Sequence, residues 1–293
     1  MSHGIAQYME QYLQSTGGTF TPHRYPNLQH HNFTQSWLLQ PAKPNRQLII
    51  FCHGTGNDAF YPFISLFIQL LRQGNNILTF DLDGHGYFST THLRPQEFHT
   101  CLDRLLDQLS FDITPYQVHM VGHSLGGIPA LHSASQPRKR PCTSLTLVTT
   151  PLDLTHLKSV PWYELMSLLS PSLWRQLQFY TPYELLPAIG NFKRHTYPVR
   201  TECINHALGY VNQVAQILNT QRTLALCKTV KAPVLLCYGK WDCIAPYIHG
   251  KQVHQQLTHS QLHLSATGTH FTTLLSPRVE ASIQKWIQTW SHT

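Results

Sequence analysis

Six consecutive residues with the sequence GHSLGG, at positions 122–127, constrain the fold of this chain more than any other feature. They follow a short apolar run at 118–121 and precede small and apolar residues that begin at Ile128. A strand, a sharp turn and a helix in this order need glycines, because the central serine adopts a strained backbone that leaves little room for larger neighbours. The pattern therefore predicts a strand-to-helix turn that presents the hydroxyl of Ser124 at the carboxyl end of a strand.

Short apolar runs alternate with helical patterns on both sides of this turn. Strands are predicted at residues 33–39, 48–52, 77–80, 118–121, 145–148, 234–238 and 261–264, with the first at an edge of the sheet. Helical spacing predicts helices over residues 1–16, 60–71, 95–109, 248–257 and 277–290. Strands that alternate with helices are typical of an α/β fold, so we expect a mostly parallel central sheet flanked by helices.

The alternation is interrupted between residues 152 and 230, where Leu, Tyr, Trp and Pro are frequent and leucines recur at helical spacing. An insertion of this kind between two strands predicts a helical cap over the carboxyl edge of the sheet. We therefore expect a core made of residues 1–151 and 231–293 and a cap made of residues 152–230. Trp162, one of several aromatic residues in the cap, is a candidate substrate contact.

The composition argues against several other functions. The formal charge is +7, but the basic run at residues 138–140 predicts an exposed loop and not a nucleic-acid surface. The twenty histidines are dispersed without zinc-site spacing, so we expect no metal and no cofactor. Seven cysteines without a C-x-x-C motif indicate reduced thiols. Because no signal peptide or membrane span is visible either, the sequence predicts a cytoplasmic protein.

A serine hydroxyl is a weak nucleophile that needs a base within hydrogen-bond distance and a third group to orient that base. In a parallel sheet such groups are expected just after strands, at the carboxyl edge. His270 follows the strand predicted at 261–264 and is the best candidate base. Asp242 follows the strand predicted at 234–238 and is the best candidate acid, with Asp153, after the strand at 145–148, as the alternative.

Acyl transfer also needs donors for a developing oxyanion. The main-chain N–H of Leu125, next to the serine, is one candidate. The second is the amide of Thr55, in a glycine-containing loop that directly follows the strand at 48–52. His53 and His123, which flank these donors, and Trp241, which precedes the candidate acid, are candidate substrate contacts.

A second glycine-containing turn, DLDGHG at residues 81–86, follows the strand predicted at 77–80. Its two carboxylates, Asp81 and Asp83, could act as an acid/base pair or hold a metal. A turn shaped by glycines more often serves as scaffold, and we predict that role here.

Together these residues resemble the α/β-hydrolase superfamily, in particular its esterase-like and monoacylglycerol-lipase-like branches. The resemblance runs from about residue 48 to the carboxyl end and is carried by His53-Gly54, the turn at 81–86, the serine turn at 122–126, Asp242 and His270. It implies a Ser124, Asp242 and His270 triad that hydrolyses esters without a cofactor. The chain departs from the family pattern at residues 87–89, with one extra residue before the serine, and at Thr55, where a large apolar residue is usual.

Three functions are compatible with these residues. The first is a hydrolase of a small-molecule carboxylic ester with an apolar acyl or aryl group. The second is an acyltransferase or thioesterase that uses the same triad with another acceptor. The third is a binding protein on a hydrolase scaffold, which the complete set of triad residues disfavours. The oligomeric state does not follow from any of these patterns.

Overall fold

A computed structural model describes residues 4–27, 32–55, 58–60, 63–85, 93–136, 142–154 and 207–291. The strands are β1 (Thr19–Asn27), β2 (Asn32–Gln40), β3 (Gln47–Cys52), β4 (Asn76–Phe80), β5 (Gln117–His123), β6 (Ser144–Val148), β7 (Val234–Gly239) and β8 (Ser260–Ser265). The helices are α1 (Gly4–Ser15), α2 (Ile64–Arg72), α3 (Cys101–Asp107), α4 (Gly127–Ser135), α5 (Ala207–Ile217), α6 (Thr220–Cys227), α7 (Tyr247–Gln256), α8 (His270–Leu274) and α9 (Pro277–Trp290).

These strands form one sheet in the order β1-β2-β4-β3-β5-β6-β7-β8. β1 pairs antiparallel with β2, and β2 pairs antiparallel with β4. All other neighbours are parallel, so the carboxyl ends of β3 to β8 lie at one edge. The predicted α/β architecture with a mostly parallel, helix-flanked sheet is confirmed.

Each face of the sheet is covered by its own apolar layer, and β3 contributes to both. Leu48 and Ile50 belong to a cluster with residues of α3, α4 and α7, whereas Ile49 and Phe51 belong to a cluster with residues of α1, α2 and α9. All four side chains are fully buried. Burial of one such side chain contributes about 1.5–3 kcal/mol, which explains why the strand is apolar without alternation.

The structure corrects two details of the sequence prediction. β1 lies outside β2, so the edge strand is Thr19–Asn27 and not the strand predicted at 33–39. Its prolines, Pro22 and Pro26, conceal the strand pattern but are tolerated because an edge strand leaves some N–H groups unpaired. The helix expected over 95–109 is shorter: a 3₁₀ turn at Phe98–Thr100 precedes α3, and Thr100 donates its N–H to the carbonyl three residues back.

Several predicted features fall on residues outside the described ranges. These are residues 56–57 of the oxyanion loop, residues 87–89, the basic run at 138–140, and the cap between residues 155 and 206, which includes Trp162. α5 and α6 belong to the end of the predicted cap. The division into core and cap stays a prediction.

The described residues hold six free cysteines, and none of the described helices combines the length and apolar character needed to cross a membrane. Within the same ranges, no group of three or more His, Cys, Asp and Glu side chains is placed to hold a metal ion. The cytoplasmic location stays a prediction.

Candidate active site

The serine turn forms at the carboxyl end of β5 and leads through a 3₁₀ turn at Ser124–Gly126 into α4. Ser124 has a φ of +51°, a left-handed conformation that costs a non-glycine residue about 1 kcal/mol or more. A Cβ atom on Gly122 would lie 2.6 Å from the Cα of Gly127, and one on Gly126 would lie 2.2 Å from the carbonyl oxygen of His53. Glycine is therefore required at both positions by close backbone packing.

His270 is held at the first turn of α8 by a reciprocal cap. Thr269 accepts a hydrogen bond from the N–H of Thr272 at 3.3 Å, and the hydroxyl of Thr272 accepts one from the N–H of Thr269 at 2.8 Å. With its main chain fixed in this way, His270 places Nε2 2.8 Å from Oγ of Ser124. Sequence reasoning missed the cap because Thr272 stands where the usual pattern has Glu or Gln.

Asp242 lies in the loop after β7 and contacts the other ring nitrogen of the same histidine. Its carboxylate oxygens are 3.0 and 3.2 Å from Nδ1 of His270. One oxygen also accepts the main-chain N–H groups of Ile244 and Ala245, at 2.9 and 2.7 Å. Because a carboxylate only accepts, Nδ1 must donate, which leaves Nε2 free to accept the serine proton.

Asp153 occupies a different environment. Its Oδ2 accepts a hydrogen bond from the hydroxyl of Thr220 at 3.0 Å, and the side chain is half-buried. The same hydroxyl lies 3.3 Å from the carbonyl oxygen of Leu152, so it ties the start of the predicted cap to α6. Of the two candidate acids, the structure brings Asp242 to His270.

The loop after β3 lies directly against the serine turn. A Cβ atom on Gly54 would lie 2.9 Å from Cβ of Ser124, so the loop backbone approaches the serine as closely as a glycine permits. Thr55 follows at the end of this described segment, and Leu125 follows Ser124 on the other side. Thr55 is thus next in the chain to a residue that lies against Ser124, and its role as an oxyanion donor stays a prediction.

His53 is buried within this loop, with 1% of its surface exposed. Its Nδ1 donates to the carbonyl of Gly54 at 2.8 Å, and its Nε2 accepts the main-chain N–H of Leu82 at 2.9 Å. Burial and the nearby His85 lower the pKa of His53 to about 3, so the ring is neutral. Both nitrogens are engaged by the protein, which places His53 as a tie between two loops rather than at a substrate surface.

The turn after β4 has the contacts of a scaffold. Asp81 accepts the main-chain N–H of Ala59 at 3.0 Å, and Asp83 forms an ion pair with Arg104. Gly84 has a φ of +76°, and a Cβ atom there would lie 2.5 Å from Cβ of Leu93. Each carboxylate therefore holds a neighbouring segment in place, in line with the structural role predicted for this turn.

The other candidate substrate contacts differ sharply in exposure. Trp241 is 59% exposed and donates its indole N–H to the carbonyl of Ala266 at 3.0 Å. His123 is only 2% exposed, because its ring is packed behind the serine turn.

Sequence reasoning also missed Tyr238, whose hydroxyl donates to the carbonyl of Thr150 at 2.7 Å. Burial and the charge of Asp242 raise the pKa of that hydroxyl well above its usual value.

Residues 47–277 match the family described as the alpha/beta hydrolase fold. The chain therefore belongs to the α/β-hydrolase family, as the strand order and the serine turn indicated.

Individual relatives are distant. The biotin biosynthesis bifunctional protein BioHC of Teredinibacter turnerae is 24% identical over 247 residues, which cover 72% of this chain and 40% of that protein. The chain thus spans about two fifths of the length of this curated relative. A monoacylglycerol lipase from Paleococcus ferrophilus superposes with a TM-score of 0.60 at 17% identity, over 93% of this chain and 100% of its own. A thermophilic esterase from Thermogutta terrifontis superposes with a TM-score of 0.62 at 16% identity, over 92% and 99%. These superpositions establish a shared fold.

Proposed function

We propose that the protein hydrolyses a carboxylic ester through an acyl-enzyme on Ser124. The supporting observation is the continuous, buried chain of contacts from Asp242 through His270 to the serine hydroxyl, with 3.0 and 2.8 Å between the reacting atoms. All three residues are about 5% exposed or less. The names of the relatives, an esterase and a lipase among them, agree with this class of substrate.

In the first half of the reaction, Oγ of Ser124 attacks the ester carbonyl carbon while Nε2 of His270 takes the hydroxyl proton. The carbonyl oxygen becomes an oxyanion, which the main-chain N–H groups of Leu125 and Thr55 stabilise. Collapse of this tetrahedral intermediate breaks the bond to the alkoxy group, which takes the proton from Nε2 and departs as an alcohol. The acyl group stays on Oγ.

In the second half, water replaces the alcohol. His270 takes a proton from the water as its oxygen attacks the acyl carbon. Collapse of the second tetrahedral intermediate breaks the bond between the acyl carbon and Oγ, and Oγ takes the proton back from Nε2. The products are the free serine and a carboxylic acid. Asp242 stays ionised throughout and stabilises the positive charge that forms twice on the imidazole ring.

The proposed class of substrate is based on the apolar composition of the predicted cap. The candidate nucleophile lies at the carboxyl edge of the sheet, and the segment predicted to form a cap over that edge is rich in leucine and aromatic residues. An ester with an apolar acyl or aryl group fits such surroundings. A thioesterase or acyltransferase would use the same triad, and the difference lies in which acceptor enters the acyl-enzyme.

A fluorophosphonate probe and p-nitrophenyl esters of increasing chain length test the proposal directly. We expect the wild-type protein to be labelled and to release p-nitrophenol, and Ser124→Ala to lose labelling and about 10⁴-fold or more in kcat. Ser133→Ala is the matched control, since Ser133 is a buried serine on α4 outside the proposed triad. Labelling that persists in Ser124→Ala contradicts the nucleophile assignment.

The same assay separates the alternatives. Added alcohols and thiols are expected to leave the yield of free acid unchanged if the protein is a hydrolase. Transfer of most of the acyl group to the added acceptor favours an acyltransferase. Labelling without turnover of any ester or thioester favours a binding protein.

A further inference from the structure

His123 is a buried group beside the candidate nucleophile and base that the proposed reaction does not use. It is the last residue of β5, directly before Ser124. Its side chain is only 2% exposed, and the predicted role as a substrate contact does not by itself account for a buried imidazole at this position.

The ring of His123 contacts three segments that meet behind the serine. Its centroid lies 5.7 Å from that of His270 and 6.0 Å from that of Phe63, at the start of α2. Its Nδ1 lies 2.8 Å from the position that a Cβ atom on Gly54 would occupy. The ring therefore fills the space between the oxyanion loop and the candidate base.

The hydrogen bonding of this ring is unusual for its depth. Within the described ranges neither nitrogen makes a hydrogen bond of ordinary geometry, although a neutral imidazole must carry one N–H. Burial, followed by the neighbouring His270 and His53, lowers the pKa of His123 well below its usual value, so the ring is neutral. The main chain of His270 is near enough to offset a part of this shift.

A second histidine on the same strand shows what a structural role looks like. His119, four residues earlier and on the same face of the strand, is fully buried and has a pKa lowered to about 4 by burial. Its Nδ1 and Nε2 each lie 2.8 Å from a partner, the hydroxyl of Ser144 and the amide oxygen of Gln47. His119 is satisfied by its neighbours, whereas His123 keeps its polar edge beside the reacting groups.

We propose that His123 is a positioning residue for the base: its ring sets the spacing between the oxyanion loop and His270, and its N–H is directed at the main-chain carbonyl of His270. This inference rests on the proposed function, because His270 is the base there. During the reaction the ring of His270 becomes positively charged. A neutral neighbour holds it in place without adding a like charge, which a lysine or arginine at the same position would do.

The experiment compares His123→Phe, His123→Asn and His123→Gln with the control His119→Phe. Phenylalanine keeps a planar ring but has no N–H, while the amides of asparagine and glutamine place a donor near the positions of Nδ1 and Nε2. We measure kcat and KM with a p-nitrophenyl ester, divided by the fraction of protein labelled with fluorophosphonate, and record thermal melting.

We expect His123→Phe to lose about 10- to 100-fold in kcat with KM changed less than threefold, because small displacements of catalytic groups cost rates of this order. One of the two amide variants should have a kcat at least fivefold higher than that of His123→Phe. The amide variant with the higher kcat identifies the donating nitrogen. His119→Phe should melt at a lower temperature but keep kcat within about twofold of the wild type.

The inference is overturned if His123→Phe keeps the wild-type kcat, or if neither amide variant exceeds the phenylalanine variant. Should the phenylalanine variant fail to fold, the two amide variants and the wild type still decide: equal kcat per labelled molecule in all three overturns the positioning role. A wild type that reacts with neither probe nor ester refutes the proposed function itself, and this result is distinct from the others.

Discussion

The two ends of β5 carry buried polar groups of opposite character. At the amino end, His119 is hydrogen-bonded at both nitrogens by Ser144 and Gln47. At the carboxyl end, His123 has no ordinary hydrogen bond within the described residues, and Ser124 has a φ of +51°. The polar groups at one end are satisfied, while at the other they are strained or lack partners.

The neighbouring strand β6 is followed by a second strained residue at the same edge. Thr149, which directly follows β6, has a φ of +46°, and β6 pairs with β5 through the contact of Val148 with His123. A β-branched residue with this φ is a backbone outlier that only the surrounding structure can maintain. Within the described ranges, the two non-glycine residues with positive φ thus both lie at the edge that carries the candidate site. The satisfied polar groups at the amino end of the sheet therefore stabilise the fold, whereas the strained backbone at the carboxyl end lowers its stability.

The largest effect is expected from the acid at the carboxyl edge. Asp242→Asn removes the carboxylate that orients His270, and we expect kcat to fall by about 10³- to 10⁴-fold, as for other triads that lose the acid. The melting temperature should change little, since asparagine can still accept from Ile244 and Ala245. Ester hydrolysis and thermal melting measure the two effects.

Asp153→Asn is the matched control for this prediction. Its carboxylate accepts a hydrogen bond from Thr220 of α6, so we expect activity within about threefold of the wild type. A greater loss in Asp153→Asn than in Asp242→Asn would reverse the assignment of the acid.

An intermediate effect, on stability alone, is expected at the amino end. Gln47→Leu removes the acceptor of the buried His119 ring and a part-buried hydrogen bond to Gln117. A buried group left without its partner costs about 1–3 kcal/mol, so the free energy of unfolding in urea should fall by that amount. Because the site lies at the opposite edge, kcat should stay within twofold. A large loss of kcat in a folded variant would show that the two ends are coupled.

The smallest effect concerns a carboxyl group away from both ends. Glu280 on α9 is 5% exposed and accepts hydrogen bonds from Gln69 and Ser65 of α2, at 2.9 and 3.2 Å. Burial raises its pKa from 4.5 to about 7, despite these two donors. Between these two values the folded state binds more protons than the unfolded state, so stability falls as the pH rises from about 4.5 to 7 and stays lower above it.

Glu280→Gln removes this titration. We expect the variant to be more stable than the wild type by about 1–2 kcal/mol at pH 8 and to show little difference at pH 4.5. Urea unfolding at the two pH values measures the change. An equal effect at both pH values would mean that the carboxyl group is not the source of the pH dependence.

Much of the fold was predictable because its signals are local. The strands at residues 48–52, 118–121 and 234–238 carry apolar side chains toward both faces, as a sheet covered by helices on each side requires. β1 escaped prediction because Pro22 and Pro26 interrupt its pattern, and their tolerance depends on a position at the edge that only the complete sheet defines. The short helix α8 escaped for a similar reason, since its cap joins two threonines.

The sequence by itself determined the class of fold and the identity of the candidate nucleophile, because the glycines around Ser124 and the apolar strand before it act over a few neighbouring residues. Only the tertiary structure decided between Asp242 and Asp153, since both follow strands that end at the same edge of the sheet. The choice depends on the distance of each carboxylate from His270, which lies 28 residues after Asp242 and 117 residues after Asp153 in the chain. The tertiary structure also buried the side chains of His53 and His123, which the sequence had predicted as substrate contacts. Burial and hydrogen bonding are properties of the assembled sheet and its loops, and no local pattern of residues encodes them.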